Sequence, residues 1–298
     1  MRIGLGAPVS GAWATPENIA RFAAHAEELG YDSLWTFQRL LVGADDDLAP
    51  VYRSVLDPML ALTYAAAHTS RIRLGVAVVN MPFVSPVVLA KQATTLDVLS
   101  GGRLDLGLGN GWYEPEFTAT GASPARRAAR AREYVQVLRT LWTDEVASFD
   151  GEFYTIPPSR LVPRPVQPGG PPILLGGTVP AALKRAGRLG AGWLSVSATN
   201  LDRIGEQIAV VVDAAREAAT ATPRIVVRGV VRAGERRGRL SGSYDEIRAD
   251  AEWLAGQGVT ELYYDLNWDK QVGNPDVSVA SATQRAAEII EALAPTRA

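Results

Sequence analysis

The 298-residue sequence predicts an α/β fold in which eight parallel strands close into a (β/α)8, or TIM, barrel. One pattern recurs in four segments, each of which passes from an Ala-rich amphipathic helix through one or two glycines into a short strand. These segments are 22–37, 90–109, 181–197 and 251–267. Four further strand candidates are 2–7, 72–79, 172–177 and 225–231. Strands that alternate with helices pair in parallel, and eight of them favour a closed barrel.

The alternative is an open, doubly wound sheet that binds a dinucleotide. That fold would carry a GxGxxG motif after its first strand. The run that begins at Gly4 has Val9 in its sixth position, and the run that begins at Gly107 has Trp112 there. Neither run matches the motif, so the barrel is the preferred prediction.

Signals for helix starts agree with the barrel. Thr15 can cap, and Pro16 can open, a helix that runs to Leu29. Thr178 and Pro180 provide the same pair of signals after the fifth strand. Helices therefore begin directly after two of the predicted strands.

The proline-rich stretch 156–172 is either a linker between two domains or an insertion in one domain. Strands and helices continue on both sides of it without a change of composition. We therefore predict one domain over residues 1–298, with a proline-rich insertion around 150–172.

Composition limits the classes of function. With 47% hydrophobic and 21% charged residues, the chain can bury a large core. Its net charge is −2 and it has no basic face interleaved with aromatic residues, so we expect no nucleic acid or membrane partner. The absence of cysteine and the presence of only two histidines, His25 and His68, exclude thiolate and histidine-rich metal sites. Neither a signal peptide nor an apolar run of about 18 residues is present, so we expect a cytoplasmic protein with a small-molecule substrate and no metal.

The active site of such a barrel lies at the C-terminal ends of its strands. Two glycine turns there, Gly109-Asn110-Gly111 and Gly176-Gly177-Thr178, can each present backbone N–H groups to a phosphate or serve only as tight turns. The other side chains expected at this end are Ala7, Pro8, Gln38, Arg39, Val79, Asn80, Met81, Trp112, Tyr113, Glu114, Ser195, Ser197, Arg228, Asp265, Asn267 and Trp268.

Hydrolytic functions are disfavoured. The chain has no GxSxG motif for a serine nucleophile. A carboxylate pair for glycoside hydrolysis would have to come from Glu114, Glu116 or Asp265, and no spacing selects two of them. The arginine-rich stretch 123–133 is typical of a solvated helix face.

Several longer motifs follow one another in register along the chain. The longest runs from 71 to 117 and includes LSGGRLDLGLGNGW, and others are RIGLGAP at the N-terminus, ELGYDSLW, GEFYTIPPS and PPILLGGTVPAALKRAGRLGAGWLS. Together these motifs resemble the luciferase-like flavin and deazaflavin oxidoreductases. The resemblance spans nearly the whole chain and is greatest to the branch that uses the deazaflavin F420. It implies a barrel that binds F420, or alternatively FMN, at its C-terminal mouth.

The resemblance also implies roles for individual residues. The cofactor chain would pass Gly109, Asn110 and Gly111, and its phosphate would lie at Gly176, Gly177 and Thr178. A non-prolyl cis peptide bond is expected at Ala77-Val78, where the resulting bulge would support the back of the ring.

One departure from the family affects the predicted reaction. Many F420-dependent relatives end the second strand with Asp-His, but this chain has Gln38 and Arg39. Gln38 can hydrogen-bond the ring, whereas Arg39 stays protonated and can bind an anionic substrate or stabilise negative charge. Alternatively, Arg39 forms a surface ion pair with Asp45, Asp46 or Asp47. The proton would come from Glu114, Asp265, Tyr113, water or the substrate.

These observations favour an F420H2-dependent reductase that transfers hydride to an activated C=C or C=N bond. The predicted catalytic residues are Gln38, Arg39 and Glu114. An FMN-dependent monooxygenase is the alternative enzyme, and a barrel that binds cofactor without catalysis is a third hypothesis. We also expect the chain to form a homodimer.

Overall fold

The computed structural model of the protein describes residues 1–189 and 192–295. Its centre is a closed barrel of eight strands, and only these barrel strands are numbered. They are β1 Arg2–Gly6, β2 Ser33–Thr36, β3 Arg73–Asn80, β4 Leu104–Gly109, β5 Ile173–Gly176, β6 Gly192–Leu194, β7 Arg224–Val230 and β8 Glu261–Asp265. Every strand pairs in parallel with the next, and β1 pairs with both β2 and β8. The predicted (β/α)8 barrel is therefore confirmed, with all eight strands at the predicted places.

Helices follow the strands around the outside of the barrel. They are α1 Pro16–Leu29, α2 Pro58–Ala66, α3 Pro86–Leu99, α4 Glu114–Thr120, α5 Arg127–Thr143, α6 Pro180–Leu189, α7 Ile204–Glu217, α8 Tyr244–Gly256 and α9 Val279–Ala292. The Thr15 hydroxyl accepts a hydrogen bond from the Asn18 N–H at 3.2 Å, and Gly30 ends the helix with a φ of 89°, so α1 has the predicted bounds. Helix α6 begins at Pro180 as predicted, whereas the glycine expected after it, Gly190, lies outside the described residues.

Shorter elements lie in the segments between the barrel strands and helices. Single turns of 3-10 helix directly follow β3 and β8, at Met81–Phe83 and Leu266–Trp268, and two more lie at Pro50–Tyr52 and Leu201–Arg203. Two small ribbons pair Ala147–Asp150 with Thr155–Ser159 and Arg232–Ala233 with Ser241–Gly242. The proline-rich stretch continues from the first ribbon and is anchored to α3, since the Asp97 carboxylate accepts the Val166 and Gln167 N–H groups at 2.7 and 3.0 Å.

A buried ion-pair network closes the N-terminal end of the barrel. Asp105 accepts hydrogen bonds from Arg73 and Arg224, and Arg224 also bonds Glu261 at 2.9 Å. Burial alone would raise the pKa of Asp105, but the two guanidiniums hold this pKa below its ordinary value. A ligand therefore has to enter from the opposite end.

Side chains fill the interior above this network. Trp35 stacks on Tyr263 with ring centroids 5.3 Å apart, and the Trp35 indole N–H donates to Glu261 at 3.0 Å. Leu174, Leu194 and Val226 pack against these rings. The interior is thus a packed core, and the open space for chemistry lies at the C-terminal mouth.

The peptide bond between Ala77 and Val78 is cis, as predicted. It lies where the pairing of β3 with β4 shifts register between Val76 and Val79. No helix in the described part of the chain is long and apolar enough to cross a membrane.

Candidate active site at the barrel mouth

Hydrogen bonds join the ends of β2, β3 and β4. The Gln38 Oε1 atom accepts the Asn80 N–H at 2.9 Å, and Asn80 Oδ1 in turn accepts the Gly111 N–H at 3.0 Å. Gly111 has a φ of 70°, a conformation that favours glycine. Asn80, which the sequence placed at the mouth without a role, thus connects Gln38 to the first glycine turn.

The first glycine turn packs closely on Val78. A Cβ atom at Gly109 would lie 2.4 Å from Val78 Cγ2 and 2.9 Å from Asn80 Oδ1, so only glycine fits. Asn110, the next residue, is half-buried beside them. Glycine at this position therefore lets the end of β4 lie directly against Val78 and Asn80.

The second glycine turn lies on the other side of Val78. A Cβ at Gly176 would be 3.3 Å from Val78 Cγ1, and one at Gly177 would be 2.6 Å from the Cβ of Ala182 in α6. Gly177 has a φ of 143°, and its carbonyl accepts the Trp193 indole N–H at 2.8 Å. Thr178 is exposed, two residues before α6 begins. Gly109 and Gly176 thus lie against different methyl groups of Val78.

Arg39 is buried at the mouth and does not form the surface pair. Its Nη1 lies 2.9 Å from Glu116 Oε2, with the two side chains only 4% and 2% exposed. Glu116 Oε1 accepts the Leu40 N–H at 2.7 Å. The alternative partner Asp46 instead accepts the hydroxyl of Tyr113. The ion pair with Asp45, Asp46 or Asp47 is therefore not observed.

Three aromatic rings surround the Arg39 guanidinium. The ring centroids of Tyr52, Trp112 and Tyr113 lie 4.8, 4.7 and 4.7 Å from its Cζ. Burial, followed by the hydrogen bond to Asp46, raises the pKa of Tyr113 above its ordinary value, so Tyr113 keeps its proton at neutral pH. The cation and rings together form one wall of the mouth.

Glu114, a predicted catalytic residue, is exposed at the first position of α4. Two residues along a helix turn by about 200°, so Glu114 and Glu116 point to opposite sides. Glu116 shares the buried side with Phe117, and it is Glu116 that contacts Arg39. The buried Phe117 was the sequence signal that could have separated the two carboxylates.

A second buried ion pair lies across the mouth. Arg228 Nε donates to Asp265 Oδ2 at 2.6 Å, and the guanidinium lies 4.7 Å from the Phe37 ring centroid. Burial alone would lower the pKa of Arg228, but the Asp265 carboxylate raises it above the ordinary value. Asn267 Nδ2 donates to both Asp265 Oδ1 and the Ala7 carbonyl, at 2.9 and 3.0 Å. Arg228, predicted at the mouth, therefore stays a cation there, beside Asp265.

Several buried donors at and below the mouth have no acceptor within the described chain: Arg39 Nε and Nη1, Arg228 Nη2, Trp268 Nε1 and the Tyr263 hydroxyl. The geometry of Arg39 Nη1 toward Glu116 is that of an ion pair without a hydrogen bond. Burial raises the pKa of Tyr263, which keeps it a donor. Since each unpaired buried donor costs about 1–3 kcal/mol, the mouth is suited to a ligand rich in oxygen acceptors.

Sequence comparison finds relatives of this chain. An uncharacterised protein of Mycobacterium tuberculosis is 42% identical over 144 residues, which cover 48% of this chain and 51% of the relative. A protein of Kineococcus radiotolerans named F420-dependent glucose-6-phosphate dehydrogenase is 34% identical over 209 residues, covering 68% of this chain and 59% of the relative. The chain thus spans about half to three fifths of the length of these curated relatives.

Solved structures show the same fold. The monooxygenase RslO1 from Streptomyces bottropensis has a TM-score of 0.81 at 24% identity, and an F420-dependent secondary alcohol dehydrogenase has a TM-score of 0.79 at 18% identity; both comparisons cover 98% of each chain. The model of the luciferase-like monooxygenase family matches residues 2–290. This chain therefore belongs to the luciferase-like monooxygenase family.

Proposed function

We propose that the protein is an F420H2-dependent reductase that transfers hydride to an activated C=C or C=N bond of a small molecule. Relatives from Kineococcus radiotolerans and Amycolatopsis mediterranei are named F420-dependent glucose-6-phosphate dehydrogenase, which supports the cofactor. The observation that carries the proposal is the surface around Val78, where two glycine turns meet.

The residues at this surface fit the deazaflavin. Val78 lies between Gly109 and Gly176, and a side chain at either glycine would press on the residue that supports the ring in this proposal. Gln38 and Asn110 provide amides for the ring and its chain. The phosphate would lie at Gly177 and Thr178, near the N-terminus of α6, where partial positive charge favours an anion.

The side chains at the mouth favour reduction over alcohol oxidation. When bound, the reduced deazaflavin supplies hydride. The positions of the family's Asp-His pair hold Gln38 and Arg39, and a guanidinium is no general base. Arg39, held by Glu116, orients the aromatic wall and stabilises negative charge that develops nearby. In this proposal a proton reaches the product from solvent or Tyr113.

An FMN-dependent monooxygenase is the second candidate, because the matching family is described as luciferase-like monooxygenases. Such an enzyme would hold FMN at the same glycine turns and would need a flavin to activate dioxygen. The two candidates therefore differ in the ring that the mouth accepts.

The reaction is tested by following oxidation of F420H2 with a panel of enones and cyclic imines. The reverse panel contains oxidised F420 with secondary alcohols and glucose 6-phosphate, the compounds in the relatives' names. We expect turnover with the first panel and less than a hundredth of that kcat/KM with the second. Faster oxidation of an alcohol would contradict the proposed direction. Sedimentation of the purified protein tests the homodimer, which is part of this proposal.

A further inference from the structure

We propose that the subsite between Arg228, Trp268 and Tyr52 binds a neutral, planar, conjugated carbonyl compound in preference to an anion. The inference rests on the proposed function, since it assigns this subsite to the substrate of the reductase. It also modifies the expectation that Arg39 anchors an anionic substrate.

Charge balance at the mouth disfavours an anion. Each of the two buried guanidiniums already has a buried carboxylate beside it, Glu116 beside Arg39 and Asp265 beside Arg228. Asp46, hydrogen-bonded to Tyr113, adds a further negative charge at the rim. An anionic substrate would therefore enter a buried site without net positive charge and would lose its hydration without gaining a counter-ion.

The unpaired hydrogen-bond donors of the subsite nevertheless favour a ligand that carries an acceptor. Arg228 Nη2 and Trp268 Nε1 are buried without an acceptor in the described chain. A guanidinium and an indole N–H can only donate. The Arg228 Cζ lies 5.9 Å from the Trp268 ring centroid, so the two side chains are neighbours. A carbonyl oxygen supplies the missing acceptor and brings no charge.

Aromatic rings give the subsite its preference for a flat ligand. The Tyr52 ring centroid lies 5.5 Å from that of Trp268 and 6.0 Å from that of Trp112. Trp112 is 60% exposed, a large apolar surface left open beside the mouth. Flat faces of this kind bind planar molecules through dispersion and offset stacking.

The proposed ligand class also agrees with the proposed chemistry. An activated C=C bond is commonly one that is conjugated to a carbonyl group. Arg228 at the oxygen would stabilise the negative charge that reaches this atom when the bond is reduced. Its pKa is raised by Asp265, so Arg228 remains a cation and holds this charge without giving up a proton.

The test is calorimetric titration of the protein saturated with oxidised F420, using chromone as the neutral carbonyl probe and 2-naphthoate as the planar anion. We expect chromone to bind at least tenfold more tightly. Trp268→Phe, which removes the donor and keeps an aromatic ring, should weaken chromone binding about three- to tenfold. The control Trp253→Phe, on α8 against Arg239, should leave chromone binding unchanged.

Arg228→Lys is the second variant, because it keeps the charge beside Asp265 and removes the fork of donors. It should also weaken chromone binding about tenfold. Equal or tighter binding of 2-naphthoate, or chromone binding unaffected by both variants, would overturn the inference. Mutual exclusion of chromone and F420 would overturn it too, since the donors would then serve the cofactor.

Failure of the proposed function gives a different result. If F420 does not bind, the reductase proposal fails, and the same comparison of chromone with 2-naphthoate on the protein alone still decides the inference. If F420 binds and chromone does not, the inference fails and the reductase proposal stands.

Discussion

The buried pair of Arg39 and Glu116 leads to a quantitative prediction about stability. Replacing Arg39 by methionine keeps the stem of the side chain and removes the cation. Glu116 would then be a buried carboxylate whose Oε2 has lost its counter-ion, while Oε1 keeps only the Leu40 N–H. Removing one partner of a buried pair costs about 3–5 kcal/mol. The three aromatic contacts of the guanidinium are lost as well.

We therefore expect Arg39→Met to lower the free energy of unfolding by about 3–5 kcal/mol, measured by urea unfolding at pH 7. The double variant Arg39→Met with Glu116→Gln removes the uncompensated charge and should recover at least half of the loss. The surface pair of Arg203 and Glu206 is the control, since its side chains are more than 60% exposed. Arg203→Met should change the stability by less than about 1 kcal/mol. A loss below about 1 kcal/mol in Arg39→Met would refute the view that this pair is desolvated.

Three further predictions concern cofactor binding, acid stability and turnover. Gly177→Val places a branched side chain where even a Cβ would lie 2.6 Å from the Cβ of Ala182. This variant should weaken F420 binding more than tenfold in a fluorescence titration, whereas Thr178→Ala should weaken it less than threefold. Equal effects of the two variants would place the phosphate elsewhere. The pKa of Asp105 is lower in the folded protein than in the unfolded chain. The ionised Asp105 therefore stabilises the fold at any pH above the unfolded-state pKa, and this stabilisation is lost as the pH falls through the folded-state pKa. Asp105→Asn should therefore lose less stability than the wild type between pH 6 and pH 3 in urea unfolding, and a parallel loss would contradict this. Arg39→Lys should lower kcat/KM for the enone substrate at least tenfold, since an ammonium cannot reproduce the flat contact with three rings; wild-type turnover would remove Arg39 from the active site.

The fold could be predicted from local signals because each of them acts over a few residues. Thr15 and Pro16 determine where α1 begins, and Gly30 determines where it ends. The alternation of such helices with short strands was enough to predict the closed barrel. The glycine turns followed from their places at strand ends, and the cis bond at Ala77-Val78 followed from resemblance alone.

The ion pairs of the mouth could not be predicted in the same way. Arg39 and Glu116 are 77 positions apart, and their contact depends on the path of the loop after β2 and on the rotation of α4. Glu114 and Glu116 look alike in sequence, and only packing of α4 separates an exposed carboxylate from a buried one. Because Glu116 already balances the charge of Arg39, the predicted role of Arg39 as the anchor of an anionic substrate is disfavoured.

The central claim is that this mouth accepts a deazaflavin, and parallel titrations of the protein with F420 and FMN test it most directly. Cofactor fluorescence and absorbance report binding of each ring without the need for a substrate. We predict that F420 binds at least tenfold more tightly than FMN and that Gly177→Val weakens this binding. Tight binding of FMN with no binding of F420 would contradict the account and would favour the flavin monooxygenase.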